Sequence, residues 1–330
     1  MWSPVVHRGP SYPQIPPRDG RKAVGRATWG AVTRRPERPE ALKGKYFLAR
    51  QVVEAGLLTR KQLRSSAWRR LFQGVYVDAE VPVTHGLRCA AAAAYLLPPD
   101  AVIAGRSAAV IHGVGLTDEG DPVEALVRRT RAAVPHDGMT VHKGELAIGE
   151  THHKRGLKIT SPVRTCWDLA RWLDLVEAVV LVDRMLKKRL VTPEQLTTYL
   201  RQRQEDGERG WRRFARVVAL ADGRAASPME SRLRVRLALA GLPRPEVQYV
   251  IRDDHGRHVA RVDMAWAEKR VAVEYDGVWH VGSADQMDHD RERLNRIALA
   301  KWTVVHVTSR RLRDDFDGLV AEIRKALSSW

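Results

Sequence analysis

The sequence predicts a mixed α/β protein made of more than one domain. Three observations carry that reading. The chain has 330 residues and is 44% hydrophobic, more length and more apolar material than one ordinary core uses. Its apolar residues recur at helical spacing in some segments and alternate as in strands in others. Its formal charge is +17, which points to a polyanionic partner, because clustered Lys and Arg gain by releasing phosphate counterions. Nucleic acid is the first such partner to consider; a basic solvated surface is the bland alternative.

Some classes are excluded at this level. No run approaches the roughly 20 continuous apolar residues of a membrane span, and the start of the chain has no signal-peptide core. The expectation is a soluble, cytoplasmic protein with no membrane partner. Cys89 and Cys166 lack CxxC spacing, so buried thiols are expected rather than a zinc site or a disulfide. Residues 1–44 hold seven of the 17 prolines and nine Lys/Arg against three Asp/Glu. With no periodic apolar pattern, that stretch reads as a flexible basic arm.

From Lys45 the pattern changes. Phe47, Leu48, Val52 and Val53 are spaced for an amphipathic helix that stops at Gly56, and Thr59 caps a second helix through Leu63. A basic stretch over 68–71 precedes a Gly turn and a β-branched, aromatic strand, Val75-Tyr76-Val77. Helix, helix, basic stretch and wing make residues 45–80 a winged-helix-like DNA-binding domain. Arg60, Lys61, Arg64, Arg69 and Arg70 are its phosphate-contact candidates. The interval from Leu63 to Trp68 is too short for a full recognition helix, which argues against readout of base edges. A small docking domain with a solvated basic face is the other reading. The residues AGLLTRKQL and WRRLFQGVYV resemble the N-terminal domain of AbiEi-type antitoxins. In that family the domain binds DNA.

Residues 81–222 form an Ala- and Leu-rich mixed α/β region. Helices are expected over 89–97, from near Ser107, over 163–173 and over 175–189, with short strands over 123–127 and 139–141. His112, His136, His142, His152 and His153 match no metal-binding spacing and read as loop or core residues. The run GRSAAVIHGV resembles the middle region of the same antitoxin-like family. Thr192-Pro193-Glu194 starts another helix, the charged stretch 201–213 reads as a solvated helix or linker, and a boundary is expected near 221–226.

The last segment, 223–330, carries the chemistry. Ser227-Pro228-Met229-Glu230 opens a helix that Gly241 stops. Glu230 stands at its third position, where a carboxylate either completes a capping box or faces a nearby ion. Strand-like runs over 247–251, 258–265 and 271–275 make a β-meander. With Glu268-Lys269 as a two-residue turn, the pairing sum puts Asp263 opposite Glu274, and alternation puts Asp276 on the same face. Like charges opposed across a ladder are destabilising, and a hard divalent cation, Mg²⁺ or Mn²⁺, is the natural compensation. Simple solvation of a strand edge and a turn is the alternative. An Arg-rich helix over 288–301, a strand over 303–307 and a final amphipathic helix over 312–327 complete an α/β sandwich.

The pattern E…RVDMAW…VAVEYDGVWH…DRERLNRIALAKWTVVHVT resembles the very-short-patch-repair-like endonuclease domain of bacterial proteins, within the PD-(D/E)XK superfamily. That resemblance implies a restriction-endonuclease-like α/β sandwich. It also implies that Asp263 and Glu274 are the metal-binding acids and that Glu230 is the acid of the first helix. His280 corresponds to the histidine after the strand in repair-type relatives, and Arg291, Arg293 and Asn295 to a polar helical motif that contacts the scissile phosphate. Asp276 stands where the superfamily has its lysine, so His280, with Lys301 behind it, is left to handle a proton. Two functions follow. One is a metal-dependent DNA endonuclease of repair or defence, with Asp263, Glu274, Asp276, His280 and Glu230 as its catalytic set. The other is an AbiEi-like DNA-binding antitoxin or transcriptional regulator with an inactive nuclease-like domain, whose partner is a toxin encoded nearby. RNA as the substrate is a third reading.

Overall fold

A computed structural model describes residues 38–118, 120–130, 136–277 and 284–329. Residues 1–37, which are most of the expected arm, and His280 lie outside the described residues. The protein is mixed α/β, with three sheets among the described residues, and divides into two compact units, 1–165 and 166–330.

In the first unit, β1 (Tyr46–Leu48) runs into α1 (Ala49–Glu54), and the hairpin β2 (Trp68–Phe72) and β3 (Val75–Asp78) completes a sheet of order β1-β3-β2. Two expectations are corrected here. Phe47 and Leu48 are strand, because pairing with Tyr76 and Val75 of the wing buries this edge before the chain can turn helical. The second helix is a single 3-10 turn, Gln62–Arg64: Thr59 Oγ1 accepts from the Gln62 amide at 3.2 Å and the Gln62 side chain accepts from the Thr59 amide at 2.7 Å. Asp78, at the end of the wing, accepts from the Gly44 amide and from Arg38.

The rest of this unit is α2 (His85–Tyr95), β4 (Val102–Ile103), α3 (Gly105–His112), β5 (Val123–Val127), β6 (Met139–Lys143), β7 (Thr151–Lys154) and β8 (Leu157–Thr160). Their sheet has the order β6-β5-β4-β8-β7. The β7–β8 hairpin was not anticipated; its turn residues Arg155 and Gly156 both take positive φ, the geometry that a tight hairpin turn demands. Helix α4 (Pro162–Trp172) spans the boundary between the units.

The second unit opens with α5 (Leu175–Lys187), α6 (Pro193–Glu205) and α7 (Trp211–Leu220), so the charged stretch 201–213 is the end of one helix and the start of the next. Then come α8 (Pro228–Leu239), β9 (Glu246–Arg252), β10 (His258–Trp266), β11 (Val271–Asp276), α9 (Ala284–Leu299), β12 (Thr303–Thr308), α10 (Ser309–Asp314) and α11 (Phe316–Ser328). The expected last helix is therefore two, separated at Asp315. The sheet order is β12-β11-β10-β9, antiparallel except that β12 runs parallel to β11. One face packs Met264, Trp266, Val273 and Val305 against Leu233 and Leu237 of α8 and Leu319 and Ile323 of α11. The other packs Ala265 and Ala272 against Ile297 of α9. Helices on both faces make it an α/β sandwich.

Helix α8 is anchored by a buried charge network. Asp183 of α5 accepts from Arg234 at 2.7 Å, from Ser231 at 2.6 Å and from the Asp222 amide at 2.6 Å. Both members of the Asp183–Arg234 pair are 3% exposed. Buried charges persist only when paired and hydrogen-bonded in this way.

Candidate active site

Strand pairing assembles the site. Met264 pairs with Val273 and Trp266 with Val271, so Asp263 falls level with Glu274 one step further along. The connection is longer than two residues: Ala267–Lys269 form a 3-10 turn closed by Arg270 at φ 46. Lengthening a turn symmetrically leaves the pairing sum unchanged, and so the expected register holds.

Asp263 is the electrostatic centre. Its Oδ2 accepts from the Tyr275 amide at 2.8 Å and its Oδ1 from the Gln248 side chain at 3.2 Å. Burial pushes its carboxyl from 3.8 up to about 6; the Tyr275 N–H opposes that shift, while the negative charges of Glu230 and Glu274 reinforce it. Glu230 is 7% exposed and lies at the start of α8. Its backbone N–H donates to Ser227 Oγ at 3.2 Å and its carboxylate accepts from the Ala226 amide at 2.7 Å, which caps α8. The same carboxylate oxygen accepts from Gln248 Nε2 at 2.7 Å. One amide group thus joins the acid of the helix to the acid of the strand.

Glu274 is turned toward α9. Arg293 grips both of its carboxylate oxygens, one at 3.0 Å, and also donates to the Arg261 carbonyl at 3.2 Å. On its other side, Glu274 is the parallel register partner of His306. His306 Nδ1 lies 3.1 Å from Asp276 Oδ2 and 4.0 Å from Glu274 Oε2. Glu230 and Glu274 therefore each lie within electrostatic reach of Asp263, whereas Asp276 has His306 as its partner. Among the described residues no three His, Cys, Asp or Glu side chains stand arranged as a metal-ligand group. The donor set is nonetheless all oxygen with under-compensated charge at Asp263, the kind that suits a hard divalent cation, and the Gln248 N–H group already stands between two of the acids.

The remaining expected residues are distributed as follows. Arg291 and Asn295 are exposed on α9. Arg60, Lys61, Arg64 and Arg70 are exposed in the first unit, and Arg69, also exposed, donates to the carbonyls of Ala79 at 3.1 Å and Val81 at 2.5 Å, a structural tie. Lys301 precedes Thr303, which pairs with Val271, so it stands at the end of β11 remote from Glu274 and Asp276. Two residues of the site, Gln248 and His306, were not anticipated. Each is a polar residue in an otherwise apolar strand, VQYVI and TVVHV, and that interruption was the only local signal.

No known family profile matches the chain, and no solved structure does. Two relatives do: "Uncharacterized protein MT2308" of Mycobacterium tuberculosis (strain CDC 1551 / Oshkosh) and "Uncharacterized protein Rv2248" of Mycobacterium tuberculosis (strain ATCC 25618 / H37Rv). Each is 30% identical over 276 residues, covering 82% of this chain and 97% of the relative. Identity at that level over nearly the whole relative means that the chain belongs to the same family as these two mycobacterial proteins.

Proposed function

We propose that this chain is a DNA-binding protein whose C-terminal sheet is a metal-dependent endonuclease centre, hydrolysing phosphodiester bonds in DNA in a repair or defence role. The observation that carries the reading is the joining of Glu230 of α8 and Asp263 of β10 through Gln248, with Glu274 of β11 level with Asp263 across the hairpin. Asp263 and Glu274 would hold Mg²⁺ or Mn²⁺, with Glu230 beside them. The chemistry such an ion would supply when bound is polarisation of a phosphodiester oxygen and a lowered pKa for a bound water. The Tyr275 amide fixes the orientation of Asp263. Arg293 pairs with both carboxylate oxygens of Glu274, and its planar guanidinium is the kind of group that would also suit a phosphate oxygen. Asp276, where the superfamily's lysine would stand, is set against an imidazole, that of His306, so a group able to carry a proton is present at that position. His280 keeps the proton-handling role that the resemblance implies. Arg291 and Asn295, together with the exposed basic residues Arg60, Lys61, Arg64 and Arg70, supply phosphate contacts.

The test is cleavage of supercoiled plasmid and of short mismatched duplexes with Mg²⁺ or Mn²⁺. Cutting by the wild type that is lost in Asp263→Ala and Glu274→Ala, with salt-sensitive DNA binding retained, is the expected result. The bidentate hold of Arg293 on Glu274 favours a second reading, an AbiEi-like antitoxin or transcriptional regulator with an inactive nuclease-like domain and a toxin partner encoded nearby. Wild-type protein that binds DNA and never cuts it would establish that alternative over the first.

A further inference from the structure

Gln248 is the one residue of β9 in the left-handed region, with φ +55. A long side chain in mid-strand has no local reason to be there: the left-handed region crowds Cβ against the carbonyl, and neither glycine nor asparagine occupies the position. The neighbouring pairs, Val247 with Met264 and Tyr249 with Val262, place Gln248 level with Asp263. From that position its amide reaches Glu230 at 2.7 Å and Asp263 at 3.2 Å. Strained residues persist where the surrounding structure over-determines them, and they cluster at functional sites. Here two charge-assisted hydrogen bonds offset the strain.

We infer that Gln248 is a positioning residue of the candidate centre: its left-handed backbone delivers one amide group between Glu230 and Asp263, holding the two carboxylates together and oriented for a divalent cation. This rests on the metal-centre reading proposed above. Left without the amide, two carboxylates of like charge would separate, one following α8 and the other β10. With it, they are held close before any cation arrives, so less ordering remains to be done on binding. Groups that orient ligands in this way contribute about 10- to 100-fold to metal affinity.

The experiment uses the full chain and Mn²⁺ as the probe, with binding followed by electron paramagnetic resonance and calorimetry and the fold followed by thermal melting. Gln248→Gly accepts the left-handed backbone and deletes only the amide; it is expected to keep a cooperative melt and to bind Mn²⁺ at least tenfold more weakly. Gln248→Asn tolerates the same backbone with an amide one methylene short, and is expected to fall between. Gln248→Lys sets a fixed cation between the two acids and is expected to abolish binding without lowering the melting temperature. Mn²⁺ bound by the Gly and Lys variants within twofold of the wild type, and lost in Asp263→Asn, would overturn the role of Gln248 while leaving the metal centre intact. Wild-type protein that binds no Mn²⁺ in an Asp263-dependent way would overturn both.

Discussion

Replacing Asp263 with Asn should stabilise the metal-free protein at neutral pH. Raising a carboxyl from 3.8 to about 6 corresponds to roughly 3 kcal/mol against the ionised form, and solvent screening at a partly exposed group reduces that to about 1–2 kcal/mol. The sign follows from proton uptake. Between the two values the folded chain holds the proton more tightly than the unfolded chain, so stability is highest below 3.8, falls as the pH rises towards 6, and stays low above it. The groups facing Asp263 are Glu230 from α8, Gln248 from β9, and Glu274 and the Tyr275 amide from β11. Asparagine keeps an acceptor for that amide and removes the charge. Urea denaturation of wild type and Asp263→Asn at pH 4, 5, 6 and 7.5, without divalent ions, measures the effect. The two proteins should differ by about 1–2 kcal/mol at pH 7.5 and converge at pH 4. A variant that is less stable than wild type at pH 7.5, or a gap of the same size at both ends of the range, would refute the account of Asp263 as a destabilised carboxylate.

Other outcomes can be stated more briefly. Arg293→Gln frees Glu274, which is 12% exposed; the metal-free fold should lose about 1–3 kcal/mol in urea, while Mn²⁺ binds more tightly by calorimetry. Asp183→Ala leaves Arg234 charged and buried at 3% exposure, and urea unfolding should show a loss of roughly 3–5 kcal/mol. Alanine at Arg60, Lys61, Arg64 and Arg70 together should flatten the dependence of DNA affinity on salt by about 0.9 in log–log slope for every phosphate that the variant no longer neutralises, measured by fluorescence anisotropy. Arg69→Ala should instead lower the melting temperature, because its guanidinium ties β2 to the carbonyls of Ala79 and Val81.

Much of the second unit was legible. Ser227-Pro228 marks the start of α8 because a hydroxyl cap followed by a residue with no N–H is a local device, complete within four residues. The level placement of Asp263 and Glu274 was legible too, since antiparallel register depends only on the midpoint of the turn, and the midpoint survived when the loop turned out longer. In the first unit the second helix shrank to one turn, because Thr59 and Gln62 cap each other over too few residues to propagate a helix before β2 begins.

Residue type and local spacing thus determined by themselves that the chain is mixed α/β, where α4, α5, α6 and α8 begin, and which acids face one another across the hairpin. Only the tertiary structure decided how those acids are partnered. His306 meets Glu274 through a parallel pairing of β11 with β12 across an intervening helix, and parallel register has no turn from which it can be read. Arg293 reaches Glu274 because α9 packs on that face of the sheet. The left-handed backbone of Gln248 exists because Glu230 and Asp263, from two other elements, stand within reach of its amide. The charge state of Asp263 likewise depends on burial beside groups 33 positions upstream and 11 downstream, and electrostatic energy is set by distance in space and by desolvation, neither of which is a property of local sequence.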